Sequence, residues 1–160
     1  MKLLSIDPGY ERIGIALINH DETRKKKDVL IYSACFKTSS ALPFPKRLKA
    51  IGKEIERLIV KHKPKVLAIE KLYFAANHKT VMGVSEARGV IVYCSAYNDL
   101  KIFEYTPSQI KVAVTGYGKA NKKMVMSMVP KLINVPTLTN SDDELDAIAI
   151  GLTCLACEKF

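Results

Sequence analysis

The chain has 160 residues, enough for one hydrophobic core and too few for two of ordinary size. With 48% hydrophobic and 26% charged residues it has the composition of a folded globular protein, which excludes a disordered or fibrous chain. Lysine and arginine number 25 against 16 aspartate and glutamate; the formal charge of +9 points to a polyanionic partner but leaves DNA, RNA and an anionic membrane surface open. The apolar run after Met1-Lys2 stops at Asp7, so no signal peptide is expected, and no apolar stretch is long enough to span a bilayer. A cytoplasmic address with no membrane partner follows as the expectation, and the absence of repeats makes residues 1–160 a single expected domain.

In chain order, the first third reads as three strands. Leu3–Asp7 is a short apolar run closed by the turn pair Pro8-Gly9. Arg12–Asn19 alternates, with Ile13, Ile15 and Leu17 on one face and small or mixed residues on the other. Asp28–Thr38 is rich in β-branched and aromatic residues, and the short connections predict antiparallel hairpins. The pattern then changes. Arg47–Lys61 carries Leu48, Ile51, Ile55, Leu58 and Ile59 at helical spacing, and Val66–Ile69 is a buried-strand run ending at Glu70. A helix is predicted over Lys79–Asn98 with Val84, Ala87, Ile91 and Cys94 on one face, followed by a fifth strand, Lys101–Tyr105. Thr106-Pro107-Ser108-Gln109 has the residues of a capped helix start. Further helices are predicted from Asn121 to about Leu132 and from near Ser141 almost to the end. Three strands followed by alternating helix and strand is the pattern of an α/β fold with a five-stranded mixed sheet flanked by helices.

The four cysteines are too few and scattered for a disulfide framework. Cys154 and Cys157 form a C-x-x-C inside an apolar helical run without a second ligand pair, so both are expected to pack rather than to bind zinc or cycle redox state. Arg24-Lys25-Lys26-Lys27 is the densest basic run and reads as a solvated loop between strands.

The chemical signal is where the acids fall. Asp7 ends the first strand, Glu70 ends the fourth, and Asp143 with Asp146 opens the last helix. Sites on sheets with parallel strands gather beyond the strands' carboxyl ends, so Asp7 and Glu70 converge if their strands are neighbours. Asp143 and Asp146, three apart, share a helix face and can reach the same point. Each also has an ordinary explanation: Asp-Pro-Gly is turn chemistry, Glu70 could pair with a lysine, and Ser141 with Glu144 could form a capping box. Together they weigh differently. Two like charges about 4 Å apart repel by roughly 4 kcal/mol near a surface, against a typical domain stability of about 5–15 kcal/mol. A chain that converges four carboxylates therefore needs cations or raised pKa values, and hard oxygen donors suit magnesium, or manganese in its place. Two such ions could activate water and stabilise the leaving oxygen of a phosphodiester.

Ile6-Asp7-Pro8-Gly9, Ala68-Ile69-Glu70, Ala87-Arg88-Gly89-Val90 and Asp143-x-x-Asp146-Ala147-x-Ala149, in that order over nearly the whole chain, resemble the RuvC Holliday-junction resolvases. The resemblance implies an RNase H-like fold, a homodimer, and paired symmetric nicks in four-way junction DNA during recombination and repair. It implies Asp7, Glu70, Asp143 and Asp146 as catalytic acids and ligands of two Mg2+ ions, and Lys111 and Lys122 as lysines serving DNA contact or catalysis. Tyr73 falls where the family has an aromatic that engages unpaired bases. Lys119, in Gly116-Tyr117-Gly118-Lys119, sits in a glycine-rich turn before a helix start and offers a phosphate contact, with a plain surface turn as the alternative. A branch-migration helicase complex is implied as a partner by the resemblance alone. Glu144-Leu145 stands where relatives have small residues, and Lys71 where a glutamine is common; both bear on the assignment of Asp143 and on metal affinity. The rival readings are a general RNase H-like nuclease acting on hybrid or duplex, and a junction-binding protein without catalysis.

Overall fold

The computed structural model describes residues 1–23, 27–72, 78–134 and 141–160, with the side chains of residues 78–80 left out. Its strands are β1 (Lys2–Asp7), β2 (Arg12–Asn19), β3 (Val29–Lys37), β4 (Val66–Glu70) and β5 (Lys101–Tyr105). The helices are α1 (Phe44–His62), α2 (His78–Tyr97), α3 (Pro107–Thr115), α4 (Lys122–Leu132) and α5 (Asp142–Cys157). The expected basic loop residues 24–26 lie outside the described residues, as does Tyr73.

The five strands form one mixed sheet in the order β3-β2-β1-β4-β5. β1, β2 and β3 pair antiparallel, as the short connections predict, while β4 and β5 run parallel to β1. Alternation along the strands separates two cores. Leu4, Ile6, Ile13, Ile15, Leu17, Leu67 and Ile69 face α1 and α2, packing with Ile51, Ile55, Ile91 and Cys94. The other face meets α3, α4 and α5 through Leu3, Ala16, Ile18, Ala68 and Tyr105.

The two faces differ in residue size, and this sets where α5 sits. The face toward α5 carries Ser5, Gly14, Ala16 and Ala68 at its centre, and the helix answers with Ala147, Ala149 and Gly151. A Cβ on Gly151 would stand 2.6 Å from Ile18 Cδ1 and 2.8 Å from Ser5 Oγ. A Cβ on Gly14 would stand 2.0 Å from the backbone oxygen of Asp143 and 3.2 Å from Asp7 Cβ. Small residues on both sides thus let the α5 backbone lie directly on the sheet, with its first turn over the end of β1.

The helix ends follow local chemistry. Thr106 caps α3 in a full capping box: its Oγ1 accepts from Gln109 N at 3.2 Å, and Thr106 N donates to Gln109 Oε1 at 2.9 Å. Asn121 Oδ1 accepts from Met124 N at 3.0 Å to start α4, and Ser141 Oγ accepts from Glu144 N at 3.4 Å to start α5. α1 begins at Phe44, three residues before the expected start, because Pro45 is tolerated in a first turn where amides need no intrahelical partner. One packing expectation fails. Cys154 is buried in the core, but Cys157 lies in the last turn of α5, where the helix leaves the sheet, and is exposed.

Candidate active site

Asp7 and Glu70 are the last residues of adjacent parallel strands, in the ladder that pairs Ile6 with Ile69. Alternation places both on the face that carries Ser5 and Ala68, beneath α5, so the condition for their convergence is met. α5 approaches from above with Asp143 and Asp146 one turn apart, brought down by the Gly14 contact. All four acids are partly buried.

Their electrostatics register the crowding. Burial, then the charges of Glu70, Asp146 and Asp143, push the Asp7 carboxyl up to about 7. Burial and Asp146 also raise Glu70, with Lys111 opposing them. Asp143 moves the other way: burial raises it, but hydrogen bonds from Arg12 and Cys35 outweigh burial and hold it below the ordinary carboxylate range.

Asp143 and Asp146 both act on Asp7 through their charges, yet each carboxylate is held by a different base. Asp143 Oδ2 accepts from Arg12 Nε at 2.9 Å and Nη2 at 2.5 Å, and from Cys35 Sγ at 3.3 Å. Asp146 Oδ2 instead accepts from Lys122 Nζ at 2.8 Å, a lysine that also lies 3.6 Å from Asp142. The two helix acids are divided between two bases, one from β2 and one from α4. Among the described residues no three acid, histidine or cysteine side chains form a ready ligand group. The donors nonetheless fit a hard divalent cation: they are all carboxylates, and the burial and mutual repulsion that raise Asp7 are what a cation between them would offset.

An open cleft beside the acids is lined by Glu70, Pro107, Lys111, Lys122, Val125 and Asp146. Lys111 and Lys122 therefore both reach the site, one from α3 and one from the first turn of α4. Lys119 is exposed on the turn between these helices and forms no ion pair among the described residues. That turn is less open to a phosphate than its sequence suggests. Gly116 N donates to Val112 O at 2.8 Å, closing α3 in the left-handed region at φ +74°, and Ala120 N donates to Tyr117 O at 3.0 Å.

Three supporting residues escaped the sequence reading. Arg12 and Cys35 meet Asp143 across 131 and 108 residues of chain, with no local signal. Arg88, quoted only as part of a motif, ion-pairs with Glu104 and donates from Nε to the backbone oxygen of Glu70 at 3.4 Å, tying α2 to the end of β4. Glu144 is buried beside its acidic neighbours, accepts from Ser33 Oγ at 2.6 Å, and faces β3 rather than the cleft.

The family model described as crossover junction endodeoxyribonuclease RuvC matches residues 3–154. The chain belongs to the RuvC family. It is 42% identical over 152 residues to the RuvC of Alkaliphilus oremlandii, covering 95% of this chain and 91% of that protein. To the RuvC of Fusobacterium nucleatum it is 38% identical over 153 residues, 96% of this chain and 79% of that one. Among solved structures, Thermus thermophilus RuvC in complex with a Holliday junction substrate superposes with a TM-score of 0.89 at 25% identity, covering 98% and 93% of the two chains. The yeast mitochondrial resolvase Ydc2 shares the fold, with a TM-score of 0.67 at 14% identity over 94% of this chain and 77% of that one. The RNase H-like fold and the RuvC assignment are thereby shown. Among the described residues no helix is long and apolar enough to cross a membrane.

Proposed function

We propose that this chain resolves four-way DNA junctions by paired, metal-dependent phosphodiester hydrolysis, with Asp7, Glu70, Asp143 and Asp146 as its catalytic and metal-binding acids. One observation carries the site: Asp7 and Glu70 end neighbouring parallel strands on the face that α5 covers with the other two acids, and burial together with the neighbouring acids pushes the Asp7 carboxyl up to about 7. Divalent cations, two Mg2+ with Mn2+ as substitute, would supply the activated water and the stabilisation of the leaving oxygen.

The chain's own residues set the conditions for that chemistry. The strands fix Asp7 and Glu70 so that neither carboxylate must reorganise, and the α5 contact on Gly14 fixes the height of Asp143. Lys111 and Lys122 line the cleft and hold the phosphate against the acids; Lys119 extends the contact along the backbone. Tyr73 follows β4 by three residues, placed in sequence to stack on an unpaired base, and lies outside the described residues.

The whole chain acts as one nuclease domain in the cytoplasm, in a homodimer whose two-fold axis matches the substrate's symmetry. The face we assign to the second copy is α2, where Met82, Tyr93 and Tyr97 are exposed at 70%, 65% and 74% along one stripe. Tyr93 and Tyr97 stack there with ring centroids 5.9 Å apart. A branch-migration helicase as a further partner rests on family membership alone.

The test is cleavage of a synthetic four-way junction beside matched linear duplex and RNA–DNA hybrid, with and without Mg2+. Paired symmetric nicks in the junction alone, only with the metal, are expected. Cleavage of duplex or hybrid at the same rate would overturn the junction specificity and leave a general nuclease. Tight binding without cleavage would leave a binding protein.

A further inference from the structure

Two of the four candidate acids are capped by bases that are themselves largely in solvent. Arg12 on Asp143 and Lys122 on Asp146 are each 53% exposed, while the acids they cover are 23% and 29% exposed. Arg12 opens β2 directly after the turn from β1 and reaches Asp143, whereas Lys111 and Lys122 line the cleft with Glu70 and Asp146. Its guanidinium gives Nε and Nη2 to the same oxygen, Oδ2, and the Cys35 thiol donates to that oxygen too. That oxygen, accepting three donors, has little lone-pair density left for a cation, and a cation approaching the other oxygen, Oδ1, meets the guanidinium's positive charge on the same carboxylate. A guanidinium carries five N–H donors, so the others remain available to an anion arriving from solvent.

We propose that Arg12 is a positioning residue that exchanges partners: it holds Asp143 in the DNA-free protein, and a backbone phosphate of the bound DNA draws it off, freeing Asp143 for the cation. The inference rests on the reading of these acids as the metal site and adds that DNA and metal binding are coupled through one side chain. Reciprocity then follows: whatever the phosphate adds to metal affinity, the metal adds to DNA affinity. The exchange replaces a single positive charge on Asp143 by a divalent cation shared among the acids, while the guanidinium takes the phosphate's single negative charge.

The experiment compares Arg12→Gln and Arg12→Lys with Lys37→Gln. Lys37 is the register partner of Arg12 on β3, so its loss removes the same charge from the same end of the sheet without removing a hydrogen bond to Asp143. Calorimetric titration of DNA-free protein with Mg2+ is expected to show about tenfold tighter binding in Arg12→Gln and at most about twofold in Lys37→Gln, whose effect is screened through solvent. Arg12→Lys, which keeps the charge and loses the fork, is expected between them. In the absence of divalent metal, junction binding by Arg12→Gln should weaken, with a salt slope shallower by about one phosphate contact. Equal Mg2+ affinities in Arg12→Gln and Lys37→Gln would overturn the proposal, as would an unchanged salt slope. Neither measurement involves cleavage, so failure of the exchange and failure of the resolvase reading remain distinguishable. Arg12→Lys keeps the test informative if Arg12→Gln does not fold.

Discussion

Asp7→Asn tests the electrostatic account of the site most directly, because it removes one negative charge with almost no change of shape. In the folded, metal-free protein burial and the neighbouring acids raise the Asp7 carboxyl from 3.8 to about 7. A raised acid binds its proton more tightly folded than unfolded, so its contribution to stability falls as pH rises. The cost is absent below about pH 4, grows between about 4 and 7, and is fully present above that. The difference amounts to about 4 kcal/mol at most, with solvent access from the cleft reducing it. The amide that replaces the carboxyl carries no charge and escapes the cost. With a chelator present, the melting temperatures of Asp7→Asn and the unsubstituted protein should therefore nearly coincide at pH 4. The variant should lead by up to roughly 10 °C at pH 8. Saturating Mg2+ should narrow the gap, since a cation that binds only the folded acids stabilises the unsubstituted chain. Cleavage by the variant should be abolished while junction binding is kept or tightened. A melting difference that does not change between pH 4 and 8 would refute the claim that Asp7 is crowded by buried like charge.

Two further substitutions probe how the site is held. Gly14→Ala places a methyl 2.0 Å from the Asp143 backbone oxygen, a clash that no side-chain rotation relieves, so α5 must lift from the sheet. A loss of about 1–3 kcal/mol is expected, with a fall in cleavage larger than the fall in folded fraction; an unchanged melting curve and rate would show that α5 is not seated there. Lys122→Ala removes an exposed base from Asp146 and from the cleft. Junction cleavage should weaken while stability stays within about 0.5 kcal/mol, and a collapse in melting temperature would assign the lysine to structure instead.

Much of this fold is legible in the sequence because its signals are local. The strand alternation, the Thr106–Gln109 capping box and the helical spacing of Ile51, Ile55 and Leu58 each concern residues a few positions apart. The pairing of Asp7 with Glu70 could be inferred because strand-end position is also a local property, and only the adjacency of β1 and β4 had to be supplied. The small residues opposite Ile13, Ile15 and Leu17 were visible as well, but their purpose appears only once α5 lies across Gly14 and Ala16. Size alternation along a strand records the distance to the neighbouring layer without naming that layer.

The contacts that govern the helix acids had no such signal. Spacing of three places Asp143 and Asp146 on one helix face, and spacing alone brings them to one cation. It says nothing of bases arriving from elsewhere, and the structure sends Arg12 of β2 to the first acid and Lys122 of α4 to the second. The distinction has a physical basis. A like-charged cluster without its counterions lowers its energy by recruiting whatever cations the chain can deliver, and a chain with a surplus of +9 has many to deliver. Arg12 and Lys122 are the ones that the start of β2 and the start of α4 bring within reach. The surplus positive charge that first suggested a polyanionic partner therefore has two roles in one place. It attracts the nucleic acid, and until that partner arrives it supplies the bases that Asp143 and Asp146 hold.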